Sequence, residues 1–126
     1  MLGHYLSLTT TTSPSYVLMS GIDEAILPIE NSKSTVEKWG HLANIIHTEW
    51  ADKFTHFTLV SPDKNNYDMS KLVFLTNGFM TGFRLSEVLH DNYKIDIEAS
   101  YEGHIIAMTG IGDTEETVLR FMEAML

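Results

Sequence analysis

Cysteine is absent from the 126-residue chain. That excludes a disulfide framework, a thiol nucleophile and a thiolate zinc site, and it fits a reducing, cytoplasmic compartment. Cations are scarce: 8 Lys and Arg stand against 17 Asp and Glu, a formal charge of −9. A nucleic-acid backbone needs a basic stripe. None can be assembled from these scattered residues, so no nucleic-acid partner is expected. Long apolar runs are missing too. Nothing approaches the roughly 20 residues that span a bilayer, and the opening MLGHYLSLTTTT carries no Lys or Arg. Neither membrane insertion nor a secretory signal is expected.

What is present suffices for a buried core. The chain is 44% apolar and 20% charged, which excludes intrinsic disorder as its main state, and its length suits one domain. The run Thr9-Thr10-Thr11-Thr12 is β-branched and favours extended backbone. Ser13 before Pro14 reads as a helix cap followed by proline at the first helical position. Val17, Leu18, Ile22, Ala25 and Ile26 then carry a helix from about residue 14 to 27, which Pro28 is expected to end.

Ser34 and Glu37 offer a capping box for a second helix. Val36, Trp39, Ala43, Ile46 and Trp50 step by three and four along it, an apolar stripe running to about Phe54. Such a stripe needs a cover, which predicts oligomerisation.

Beyond residue 54 the period shortens. Strands are predicted at 56–60, 71–76, 93–99 and 104–108. The apolar run at 71–76 looks too continuous to leave one face in water. Asn77-Gly78 breaks that strand, Thr81 caps a helix carrying Phe83, Leu85, Val88 and Leu89, and Asp113 with Glu116 caps a last helix with Val118, Leu119, Met122 and Met125 buried. The predicted class is α/β, of the α+β kind. Two N-terminal helices precede a small α/β sandwich with helices on one face of a mostly antiparallel sheet.

Thr10-Thr11-Thr12-Ser13-Pro14-Ser15-Tyr16, followed by Leu18-Met19-Ser20-Gly21-Ile22-Asp23-Glu24-Ala25, resembles a signature of the bacterial ornithine/lysine/arginine decarboxylases. The resemblance continues at Asp68-Met69-Ser70-Lys71, Thr81-Gly82-Phe83, Tyr93-Lys94-Ile95-Asp96-Ile97-Glu98 and Thr109-Gly110-Ile111-Gly112-Asp113-Thr114, in family order along nearly the whole chain. It implies a pyridoxal-phosphate enzyme of the aspartate-aminotransferase (type I) fold. Residues 1–54 would be the end of the large domain and residues 55–126 the small C-terminal domain.

The departures from the family are specific. Its cofactor lysine stands in a Ser-x-His-Lys context, whereas Lys33, Lys38, Lys53, Lys64, Lys71 and Lys94 all lack a preceding His. Its pyridine-nitrogen partner stands in Asp-x-Ala-His, whereas Asp23-Glu24-Ala25 is followed by Ile26. The resemblance therefore implies a fragment with no catalytic residue for the parent lyase reaction and no cofactor of its own. It would depend on a homo-oligomer, or on a complementary chain carrying the pyridoxal-phosphate domain.

By the same resemblance Thr11, Thr12 and Ser13 would meet the cofactor phosphate of a neighbouring subunit, a role that hydroxyls near a helix N-terminus suit. Their alternative is a solvated strand and a structural cap. The resemblance also implies that Glu98 meets the distal amino group of a basic substrate and that Tyr16 lines the same cleft. Their alternatives are an exposed strand carboxylate and helix packing. A rival reading of the whole chain is a non-catalytic α/β regulatory or assembly module that binds a protein partner. The six His include no i,i+4 pair, and no metal site is expected.

Overall fold

A computed structural model describes residues 15–31, 33–62 and 67–126. The chain separates into two compact units, Met1–Thr35 and Val36–Leu126. The first contains helix α1 (Tyr16–Asn31). Its cap is Ser15, whose Oγ accepts from the Leu18 N–H at 3.4 Å. The helix thus starts two residues later than the Ser13-Pro14 pair suggests. It also continues through Pro28 to Asn31 instead of stopping there. Proline costs a helix one backbone N–H, but its fixed φ is a helical value, and α1 absorbs that loss. Tyr16, Val17, Leu18, Met19, Ile22, Ile26 and Leu27 are all exposed.

Helix α2 (Lys33–Ile45) follows and passes into a π-helical turn, Ile46–Trp50. Ser34 lies inside α2, so the expected Ser34/Glu37 box does not open it. Most of the predicted stripe finds its cover within the second unit, while Val36 stays exposed. Ala43 and Ile46 are buried, Trp50 packs against the core, and Trp39 Nε1 donates to Thr109 Oγ1 at 3.2 Å.

The sheet is antiparallel throughout, in the order β1 (Thr58–Leu59), β2 (Lys71–Leu75), β4 (His104–Met108), β3 (Ala99–Ser100). The central pair runs from Lys71 opposite Met108 to Leu75 opposite His104. Its register sets Leu72 beside Ala107 and Phe74 beside Ile105 on the buried face. Against that face lie α3 (Gly82–Tyr93), through Leu85 and Leu89, and α4 (Glu115–Ala124), through Val118, Phe121 and Met122. Each such aliphatic or aromatic side chain contributes about 1.5–3 kcal/mol when fully buried.

The other face of the sheet is less covered among the described residues of the second unit. Val73 and Ile106 are half-buried there, and Leu75 and Met108 are exposed. Among the described residues of the second unit, α3 and α4 pack on one face of strand 71–75 only, so the expected cover on both faces is not found within that unit. A further correction concerns residues 93–99. Tyr93 closes α3, Lys94 takes a left-handed conformation (φ 56), and residues 95–98 form no strand; only Ala99 and Ser100 pair. At the last helix the cap is Thr114, in a reciprocal box with Thr117, one residue later than Asp113/Glu116. Leu119 is exposed and Phe121 is buried in its place. No helix among the described residues is long and apolar enough to cross a membrane.

Candidate functional site

Thr11, Thr12 and Ser13 lie outside the described residues. Tyr16 opens α1 with its ring exposed, in the first unit. Glu98 belongs to the second unit, exposed in the irregular segment that leads from α3 into β3. Its position follows from the left-handed turn at Lys94, where the Lys94 and Ile95 N–H groups donate to His90 and Leu89 carbonyls at 3.1 Å each. Lys94 Nζ donates to the Asp91 carbonyl, and His90 Nδ1 lies 2.7 Å from Asp96 Oδ1. These contacts pin the segment to the end of α3 and leave Glu98 in solvent, where a carboxylate is stable without a partner.

None of the described lysines is buried. A lysine that forms a Schiff base works from a desolvated position that lowers its pKa. The described residues therefore do not fit an anchor for pyridoxal phosphate. Among them no group of three or more His, Asp or Glu is arranged to hold a metal ion.

Two features escape the sequence patterns. The first is His47, on the π-helical turn. Its ring meets Tyr67 edge-on at 5.5 Å, and both ring nitrogens are shut off from water without a hydrogen-bond partner. Burial holds its pKa below the usual 6.5. Tyr67 donates its hydroxyl to the Lys71 carbonyl at 2.7 Å, and burial raises its pKa above 10.0. Beside it Asp68 accepts from the Ser70 hydroxyl and N–H, which lowers its pKa below 3.8. The sequence does carry a trace of His47: it stands four residues after Ala43 and flanks the apolar stripe.

The second is a cavity of about 240 Å³ between the Lys94–Ile97 segment and α4. Leu72, Ala107 and Phe121 line it together with Lys94, Asp96, Asp113 and Arg120. None of the predicted site residues in the described part of the chain lines it.

No protein-family model matches the chain. It is similar to an arginine decarboxylase from Bacillus anthracis, 28% identical over 130 residues that make up 95% of this chain and 26% of that protein. It is also similar to an arginine decarboxylase from Bacillus cereus, 26% identical over 127 residues, 95% of this chain and 28% of that protein. The chain thus spans about a quarter of the length of the curated relatives it matches.

Proposed function

We propose that the chain corresponds to one part of a pyridoxal-phosphate-dependent basic amino-acid decarboxylase, inactive alone and completed by a polypeptide that supplies the cofactor lysine. The observation that carries this reading is the collinear match: 95% of the chain aligns with about a quarter of two proteins named arginine decarboxylase. The exposed apolar residues of α1 and the less covered sheet face agree with it. Surfaces of that kind are covered in a larger protein. In this reading Thr11, Thr12 and Ser13 offer hydroxyls to the cofactor phosphate of a neighbouring subunit, while Glu98 and Tyr16 border the substrate entrance. The reaction assigned to the completed protein is loss of carbon dioxide from arginine, lysine or ornithine, with the bound cofactor acting as electron sink.

The test is to delete the matched stretch from the Bacillus anthracis protein and express this chain beside it, or in place of that stretch. Carbon dioxide release from carboxyl-labelled arginine should return, and Thr11→Ala should weaken cofactor retention about tenfold. A replaced protein that folds yet releases no carbon dioxide overturns the reading, as does a pyridoxal-phosphate absorbance band from this chain alone. The same apolar surfaces support a second reading, a non-catalytic module that binds a protein partner. Stable association without restored activity is its signature.

A further inference from the structure

We infer that the turn Asn77-Gly78 is a site of covalent modification, where the Asn77 carboxamide is lost as ammonia and the product frees the edge strand β1, independently of the decarboxylase reading. Asn77 is the only Asn of the chain that precedes a Gly. Both residues are exposed and both hold a left-handed φ, 52 and 76, which Asn and Gly adopt more readily than other residues. The Gly78 N–H has no hydrogen-bond partner among the described residues, and glycine has no side chain to shield its nitrogen. A nucleophilic nitrogen thus stands unhindered beside a carboxamide.

The Gly78 nitrogen attacks Asn77 Cγ, and its proton passes by way of water to Nδ2. The Cγ–Nδ2 bond breaks, ammonia leaves and a cyclic imide closes. Water then opens the imide at either carbonyl. Opening at Cγ gives aspartate; opening at the main-chain carbonyl gives isoaspartate, whose backbone runs through Cβ and Cγ. Each product carries a carboxylate where an amide stood. The present contacts of that amide set both rate and consequence. Nδ2 donates to the His56 carbonyl at 3.3 Å and to Thr58 Oγ1 at 3.0 Å. The leaving nitrogen must give up both bonds, so they slow the reaction without blocking it. They also tie the turn to β1, an edge strand whose backbone pairing is short: Thr58 opposite Leu75, Leu59 opposite Phe74, and the Val60 N–H on the Val73 carbonyl. A carboxylate has no hydrogen to give His56 and repels its carbonyl oxygen. Isoaspartate also lengthens the backbone and breaks the turn. The segment so released carries the buried side chains Phe57 and Leu59.

The experiment ages the whole chain at pH 8 and follows residue 77 by peptide mass mapping, with electron-transfer fragmentation to separate aspartate from isoaspartate. Ammonia loss should be fastest at Asn77, slower in the folded chain than in urea, and should yield mainly isoaspartate. Thr58→Val, an exposed change, removes one acceptor and should speed the loss about fivefold, the weight of one hydrogen bond. Thr58→Ser keeps the hydroxyl and should keep the parent's rate. In the aged isoaspartate form, amide hydrogen exchange at residues 58–60 should quicken about tenfold while 104–108 stays protected. Asn77→Asp makes the acid without lengthening the backbone and should quicken exchange less. An Asn77 that persists while the chain in urea converts, a Thr58→Val rate equal to the parent's, or unaltered exchange at 58–60 in the isoaspartate form overturns the proposal. Should Thr58→Val disturb the fold, the aged parent chain decides alone.

Discussion

Helices α1 and α4 make similar use of apolar residues and meet opposite fates. In α4 and its last turn the apolar side chains Val118, Phe121, Met122 and Met125 are buried. Their spacing of three, one and three draws a single stripe, so one face can enter the core while Glu115, Glu116, Arg120 and Glu123 stay in water. In α1 the residues Tyr16, Val17, Leu18 and Met19 follow one another, with Ile22, Ile26 and Leu27 beyond them, and none is buried. Consecutive apolar residues point around the whole helix, so no single contact can cover them. Helices that are apolar on every side are generally buried. The difference teaches that apolar content does not say what a segment packs against; its angular distribution does.

The strongest test of this contrast is a pair of truncations. Phe74 is fully buried and meets Phe54 and Phe121 edge-on at 5.1 and 5.7 Å. Phe74→Ala should cost about 3–5 kcal/mol in urea unfolding. That is a large part of the roughly 5–15 kcal/mol typical of a domain. Ile22, which is 62% exposed, should cost at most about 0.5 kcal/mol on truncation to Ala. Comparable losses at the two sites would mean that α1 is buried in the free chain by self-association, and the contrast would fall.

A second substitution sharpens the comparison inside the second unit. Gly82 begins α3 where its α-carbon faces the backbone carbonyls of Tyr101 and His104, and its N–H donates to Glu102 at 3.2 Å. A methyl group there meets backbone that cannot rotate away. Gly82→Ala should destabilise by about 1–3 kcal/mol, the cost of overpacking. Gly21 of α1 has nothing within 4 Å of such a methyl, and its replacement by Ala should stabilise by up to about 1 kcal/mol through helix propensity. Thermal unfolding of the two variants should therefore move in opposite directions.

The sequence was most legible where local chemistry and tertiary packing agree. The strand cores at 71–75 and 104–108, the Asn77-Gly78 turn with φ of 52 and 76, and the Thr81 cap bonding Arg84 N–H all follow from residue type. The alternating residues 93–99 mislead because Lys94 adopts a left-handed φ, which costs a non-glycine residue roughly 1–2 kcal/mol and has no local signal. The one-sided packing of α3 and α4 was hidden because an apolar run cannot reveal which face of a strand they cover. Candidate site residues were legible only through resemblance. The cavity lining was not legible at all: Asp96 looks like a strand residue and Asp113 like a cap, and only the turn at Lys94 brings their segments together.

The smallest expected effect concerns the place where the well-packed unit fails to satisfy its own polar groups. His47 holds two ring nitrogens away from water with no partner, and an unmet buried donor costs about 1–3 kcal/mol. His47→Phe keeps a ring against Tyr67 and removes both nitrogens, so it should stabilise by about 1 kcal/mol at pH 7.5. Acid should widen the gap. The folded pKa lies below 6.5, so between 6.5 and that lower value the unfolded chain binds a proton that the folded chain refuses. Stability is unaffected above this window and falls as pH drops through it. Asp68 is held below 3.8 and Tyr67 above 10.0, so their contributions change outside the window, the first lost in stronger acid and the second in stronger base. The difference in urea midpoint between His47→Phe and the parent chain should thus be constant from pH 7 to 8 and grow from pH 6.5 downward. Parallel curves would show that His47 is as well solvated as the residues of α1, and that the second unit has no polar weak point at the π-helical turn.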